Sequence, residues 1–278
     1  MSILIDKRSR VITQVATGHA GQRHTATCRA YGHGKRCFVA GVNPMQDGDS
    51  LDGLPVFGSV EEARAATGAT VSVVYAPPAA AAAAIEEAVD AGIALVVCIT
   101  DGIPADDMRR VRRRMQDSRT VLLGPQCPGV VTPEQIVVGP LPGHDYRPGR
   151  IGIVSRRCTL AARAAVQLAA FGLGQSTVVG LGGDPLGGLG DTDVLALFNA
   201  DHGTDAVLML DGVGHDDDGR CARWIADHMD KPVFAFAGGS APPALSRLRD
   251  CGIEFTCDPA AIGDLVAARV DTPWLPFD

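Results

Sequence analysis

Three sets of residues carry types and spacings that could bind or move a charged group. Thr17-Gly18-His19-Ala20-Gly21 follows an apolar run and opens a helical pattern. Backbone N–H groups at a helix start lie at the positive end of its dipole, and glycines let a phosphate reach the main chain. The spacing falls short of the full dinucleotide fingerprint, and Asn43 stands where an acidic residue would hold a ribose. A tight turn with no ligand is the open alternative. The second set is Arg156-Arg157-Cys158 at the entry to another helix. Two guanidiniums there suit a carboxylate or phosphate, and a thiol beside them at a helix start has surroundings that favour a thiolate; a small buried side chain is the alternative for Cys158. The third set comprises two loops, Asp101-Gly102-Ile103-Pro104 and Gly124-Pro125-Gln126-Cys127-Pro128-Gly129.

The elements that must position these loops read as alternating strands and helices. Strands are expected at Val11–Val15, Cys37–Val42, Val71–Tyr75, Leu95–Ile99 and Val121–Leu123, with helices at His24–Tyr31, Val60–Thr67, Ala79–Ala91 and Asp106–Gln116. A second series follows, with strands Ile151–Val154, Thr177–Leu181, Ala206–Leu210, Val233–Ala237 and Glu254–Thr256. Its helices are Thr159–Phe171, Thr192–Asn199, Arg220–His228, Pro242–Asp250 and Ala260–Val270. Such alternation predicts parallel sheets covered on both faces, and ligands of such sheets sit beyond the carboxyl ends of the strands. The fold class is α/β: a Rossmann-like domain over 1–125, a Pro- and Gly-rich linker over 126–149 and a flavodoxin-like domain over 150–278.

Composition narrows the class further. The 25 Lys+Arg against 32 Asp+Glu leave a net charge of −7, which argues against coating nucleic acid or an anionic membrane. Apolar residues at 46% support a packed core, and no run of about 20 apolar residues spans a bilayer. Eight scattered cysteines lack the C-x-x-C spacing of a zinc or redox site, and no metal ligand set is expected. They read as reduced thiols of a cytoplasmic protein. Arg109-Arg110-Val111-Arg112-Arg113-Arg114 reads as a solvated helix carrying charge all round, or as a rim for a partner.

The order of these loops resembles the α subunit of succinyl-CoA synthetase (succinate–CoA ligase) nearly from end to end. The likeness is carried by Ser2-Ile3-Leu4-Ile5-Asp6-Lys7, the Gly-x-x-Gly loop, Leu54-Pro55-Val56-Phe57, Asp90-Ala91-Gly92-Ile93, Pro142-Gly143-His144, Gly152-Ile153-Val154-Ser155-Arg156, Gly174-Gln175-Ser176-Thr177 and Gly182-Gly183-Asp184-Pro185. The resemblance implies a CoA-binding Rossmann-like domain followed by a ligase domain. Its CoA contacts fall on Thr17, Gly18, His19, Ala20, Gly21, Asn43, Gln46, Thr100, Asp101, Gln126 and Cys127. It also implies a hetero-oligomer with an ATP-grasp β-type subunit, a small carboxylic acid as substrate, and ATP or GTP with Mg entering only through that partner.

Several positions depart from the family pattern. The family carries a phosphohistidine in a Gly/Ala-rich loop after the strand matching Val233–Ala237, whereas here Gly238-Gly239-Ser240-Ala241-Pro242-Pro243 leads straight into a helix. The supporting glutamate falls near Asp211-Gly212-Val213-Gly214-His215. The family's Ser-Arg-Ser-Gly-Thr reads Ser155-Arg156-Arg157-Cys158-Thr159. Phosphoryl transfer through the familial histidine is therefore expected to be lost. His215 is the candidate replacement carrier, although Asp216, Asp217 and Asp218 beside it would repel a phosphoryl group. A non-catalytic CoA-binding subunit and an NAD(P)-binding protein are the competing expectations.

Overall fold

The computed structural model describes residues 2–14, 19–45, 50–210 and 219–270. Its strands form two seven-stranded sheets. The first contains β1 (Val11–Gln14), β2 (Phe38–Val42), β3 (Ser50–Leu51), β4 (Leu54–Phe57), β5 (Val71–Val74), β6 (Leu95–Cys98) and β7 (Val121–Leu123). They lie in the order β3-β4-β2-β1-β5-β6-β7. Leaving out β3, which is antiparallel to β4, the parallel strands follow the Rossmann order 3-2-1-4-5-6. Helices α1 (His19–Ala30), α2 (Gly34–Cys37), α3 (Val60–Thr67), α4 (Pro78–Asp90) and α5 (Ala105–Met115) connect them.

Local chemistry explains these elements. Ser59 caps α3 by accepting from the Glu62 amide at 3.2 Å, and Gly68 ends it in the left-handed region. Pro78 opens α4, whose alanines bury a close-packed face under the sheet. The arginine helix α5 differs from the expectation of charge all round, because Met108 and Val111 face the core. Its outer arginines pair with acids: Arg110 with Glu86 and Asp107, and Arg114 with Asp90, whose carboxyl is held below its ordinary value by that guanidinium.

The second sheet holds β8 (Gly129–Thr132), β9 (Ile136–Val138), β10 (Pro148–Ser155), β11 (Gln175–Gly180), β12 (Ala206–Leu210), β13 (Val233–Phe236) and β14 (Glu254–Thr256). Its order is β14-β13-β12-β10-β11-β8-β9, in which β11-β10-β12-β13-β14 follow the flavodoxin order 2-1-3-4-5. Helix α6 (Cys158–Ala170) packs beside α10 (Ile262–Ala267), and α7 (Asp191–Ala200) beside α8 (Arg220–His228); α9 (Pro242–Asp250) precedes β14.

The stretch 126–149, expected as a linker, carries β8 and β9, and β8 pairs antiparallel with β11. Val130, Val131 and Ile136 to Val138 are buried, so leaving this stretch as an open connection would expose these five apolar side chains. The other unforeseen strands, β3 and β4, turn at Asp52-Gly53, where both φ angles are positive, as short hairpin turns require. The N-terminal segment also reaches the second sheet: Ile3 donates its amide to Thr177 at 3.2 Å, and the Ile5 carbonyl accepts from Thr132 at 2.8 Å.

Candidate functional site

The strand order of the first sheet reverses between β1 and β5, and in open α/β sheets ligands bind at such a switch point, beyond the carboxyl ends of the strands. The helix that leaves β1 begins at His19, five residues earlier than expected, which places Gly21 in its first turn. Thr17, Gly18 and Gln46 lie outside the described residues, and of His19 and Ala20 only the helical backbone is described.

The neighbouring loops are laced to one another. Asn43 is buried; its amide donates to the Phe57 carbonyl at 2.9 Å, and its side-chain oxygen accepts from the Met45 amide at 3.1 Å. Thr100 donates its hydroxyl to the Ala76 carbonyl at 2.6 Å, and its own carbonyl accepts from the Gln126 amide at 2.9 Å. Asp101 and Gln126 stand exposed on the edge. Cys127 does not reach it, because its thiol is buried against the Cys98 carbonyl at 3.1 Å. Burial raises the pKa of that thiol, so it stays protonated and serves the packing of the loop.

Sequence reasoning missed Tyr75, which follows β5 at the switch point. Its ring stacks on His24 of α1, with centroids 5.9 Å apart and planes 7° from parallel. Burial lowers the His24 pKa, with Arg23 adding to the effect, so the imidazole is held towards its neutral form. A tyrosine closing the expected strand Val71–Tyr75 was the available signal. His144, of the Pro142-Gly143-His144 motif, lies edge-on to Tyr31, with ring centroids 5.2 Å apart.

In the second sheet the order reverses between β10 and β12. Arg156, Arg157 and Cys158 leave the end of β10 at that point, and Cys158 is the first residue of α6. The Ser155 hydroxyl accepts from the Arg157 amide at 3.1 Å and donates to the Arg157 carbonyl at 2.9 Å, which shapes the turn. The Arg156 guanidinium is engaged bidentately by Asp191, the first residue of α7, at 2.7 and 3.0 Å. The segment after β12 that holds Asp211 and His215 lies outside the described residues. Among the described residues no group of three His, Cys, Asp or Glu side chains could hold a metal ion.

One strap joins the two edges. After β11, Gly182 packs so closely on the Pro125 carbonyl that a side chain would collide with it. Gly188 then donates to the Gly124 carbonyl at 2.9 Å, and Leu189 to the Leu122 carbonyl at 2.8 Å. Arg112 of α5 donates to the Gly187 carbonyl at 2.5 Å. The strap ends at Asp191, on Arg156.

A Rossmann-like domain and a flavodoxin-like domain with adjoining carboxyl edges define a two-domain α/β protein of the CoA-binding ligase-subunit class, and residues 6–102 match the CoA binding domain family. The chain is 46% identical over 254 residues to the succinate–CoA ligase [ADP-forming] subunit alpha of Aquifex aeolicus, covering 91% of this chain and 82% of that one. With the corresponding subunit of Staphylococcus epidermidis it shares 42% identity over 284 aligned positions, covering 95% and 93%. It therefore belongs to the succinate–CoA ligase α-subunit family. Among solved structures, Methanosaeta concilii ATP citrate lyase in complex with (3S)-citryl-CoA superposes with a TM-score of 0.81 at 19% identity, covering 96% of this chain and 50% of that chain. An apo dinucleotide-forming acetyl-coenzyme A synthetase of Ca. Korarchaeum cryptofilum gives a TM-score of 0.72 at 21%, covering 90% and 58%. The chain thus spans little more than half of these larger proteins, and the likeness to them is one of fold.

Proposed function

We propose that the chain is the CoA-binding α-type subunit of an acid–thiol ligase assembly that works without a phosphohistidine on this subunit. CoA would lie across the switch point between β1 and β5, its pyrophosphate on the amides at the start of α1. Asp101 and Gln126 stand at its margin. An ATP-grasp β-type partner would supply the nucleotide with Mg, ATP or GTP, and would form an acyl phosphate from a small carboxylic acid. The CoA thiol would then attack the acyl carbon directly, forming the thioester and releasing phosphate with its electron pair. The thiol proton would leave to solvent or to released phosphate. Phosphate and the acid are anions, which suits the cationic turn at Arg156 and Arg157 and the start of α6.

The observation that carries the reading is the connection between β13 and α9. Only residues 237–241 join them, closed by a turn in which Ser240 donates to the Ala237 carbonyl at 3.2 Å. A long histidine loop has no place there. CoA is favoured over NAD(P) by Asn43, whose side-chain oxygen is held on the Met45 amide and which carries no charge for a ribose. A second reading, a non-catalytic CoA-binding or regulatory partner, draws on the closure of Arg156 by Asp191.

Calorimetry with CoA and with NAD tests the first domain; a preference for NAD overturns the proposal. Incubation with the co-purified partner, ATP, Mg, CoA and a dicarboxylate, followed by mass spectrometry of this chain, tests the route. Acyl-CoA without a phosphorylated α chain is expected. Phosphate on His215 would replace the direct route, and CoA binding without any product would favour the second reading.

A further inference from the structure

We infer that Asp191 is a specificity-determining residue which occupies, with its own carboxylate, the anion clamp built on Arg156. The inference rests on the functional reading above, which places an anionic substrate at the carboxyl edge of the second sheet, and it names a carboxylate that such an anion must displace from this fork.

Three observations carry it. First, the Asp191 carboxylate meets the Arg156 guanidinium through two parallel bonds at 2.7 and 3.0 Å. This fork is the geometry with which arginine holds a free carboxylate or phosphate. Second, the pair stands where a ligand would stand. Arg156 leaves the central strand β10 at the point where the strand order reverses, and Asp191 is the first residue of α7, where the dipole of that helix favours negative charge. Third, the pair is neither sealed nor freely solvated. The Arg156 side chain is 34% exposed and that of Asp191 17%, so an incoming anion can reach the fork, while partial burial keeps the attraction stronger than on an open surface.

Two features fix the position of Asp191. Upstream, the strap is bonded to the edge of β7 through Gly188 and Leu189. Downstream, the Asp193 carboxylate accepts from the Gly190 amide at 2.8 Å, which closes the first turn of α7. For this fork to open, the Asp191 side chain has to rotate away from Arg156. The exchange makes and breaks no covalent bond: one anion replaces another on the same two N–H groups. Asp191 thereby sets a threshold against weakly held monoanions and favours ligands with two negative groups or a dianionic phosphate.

The test uses the full chain and two probes, inorganic phosphate and succinate, titrated at fixed ionic strength. For Asp191→Asn, which keeps the shape and removes the charge, binding of both probes is expected to tighten roughly tenfold, as expected when a competing charge-assisted fork is removed. Arg156→Gln placed on that background should cancel the gain. Unchanged affinity in a folded Asp191→Asn protein overturns the inference. A measurement on the wild-type chain covers the case in which the variant does not fold. Phenylglyoxal modification of Arg156, mapped by mass spectrometry, should be slow and slower still with phosphate; fast modification that phosphate leaves unchanged also overturns it. A parallel CoA titration separates the two readings. Lost CoA binding with an intact anion response sinks the CoA assignment alone, and the reverse sinks the role of Asp191 alone.

Discussion

The amide of Gly188 donates to the carbonyl of Gly124 at 2.9 Å, and this bond, with that from Leu189 to Leu122, covers the free edge of β7. An open strand edge invites pairing with other chains, so the strap protects the first sheet while tying it to the second. It also runs from the loop of Gln126, proposed above to stand at the CoA margin, to Asp191 on Arg156.

Gly188 tolerates no side chain there, because a Cβ would collide with the carbonyl oxygen and Cβ of Leu122. Gly188→Ala is expected to cost about 1–3 kcal/mol, the range for overpacking a close-fitting contact. Urea unfolding followed by circular dichroism measures this, and a loss below about 0.5 kcal/mol, the scale of an ordinary surface change, would mean that the strap lifts without penalty.

The buried thiols give the stability a pH dependence. Burial pushes Cys28 up to about 11 and Cys98 up to about 12, against an ordinary value of 9.0, and Cys127 is raised further still. In the unfolded chain these thiols ionise first, so above pH 9 the unfolded state loses protons that the folded state keeps. Their contribution is complete below pH 9 and declines as pH rises from about 9 towards 12. Urea titrations at pH 8, 9 and 10 should show the fall, and Cys98→Ala should reduce its slope.

The same burial orders the reactivity of the cysteines. Cys257 is exposed, and Cys158 and Cys251 are partly so. Iodoacetamide mapped by mass spectrometry at pH 8 should label these three in the native protein and leave Cys28, Cys98 and Cys127 until urea is added. Early labelling of Cys127 would contradict its place in the core.

Thr100 couples the ends of β5, β6 and β7 through two hydrogen bonds. Thr100→Val removes the bond to the Ala76 carbonyl and leaves that acceptor unpaired, at a cost of about 1–3 kcal/mol. CoA affinity should fall several-fold while the unfolding transition stays cooperative. An unchanged CoA titration would show that the loops hold their places without it.

Tyr146 is 3% exposed, and its hydroxyl has no hydrogen-bond partner among the described residues. Tyr146→Phe removes a buried polar atom without creating a cavity, so stability should be unchanged or rise by up to about 1 kcal/mol. A loss greater than this in thermal unfolding would reveal a partner for that hydroxyl.

The sequence by itself determined the two parallel sheets and the loops that matter, because apolar strands, capped helices and turn residues repeat with local periods. Val71–Val74, Leu95–Cys98 and Ala206–Leu210 could be read as strands from their composition alone. It did not reveal the hairpin at 129–138, since the surrounding prolines and glycines mask two short apolar runs, the first of which pairs with the distant strand β11 through Val131 and Val178. Nor could it reveal that the thiol of Cys127 turns inward, that Tyr75 stacks on His24, or that Asp191 closes on Arg156. Those relations join residues far apart in the chain. They are decided by which strand edges become neighbours when the sheets assemble, because the strength of a charge pair or hydrogen bond depends on distance and burial in space.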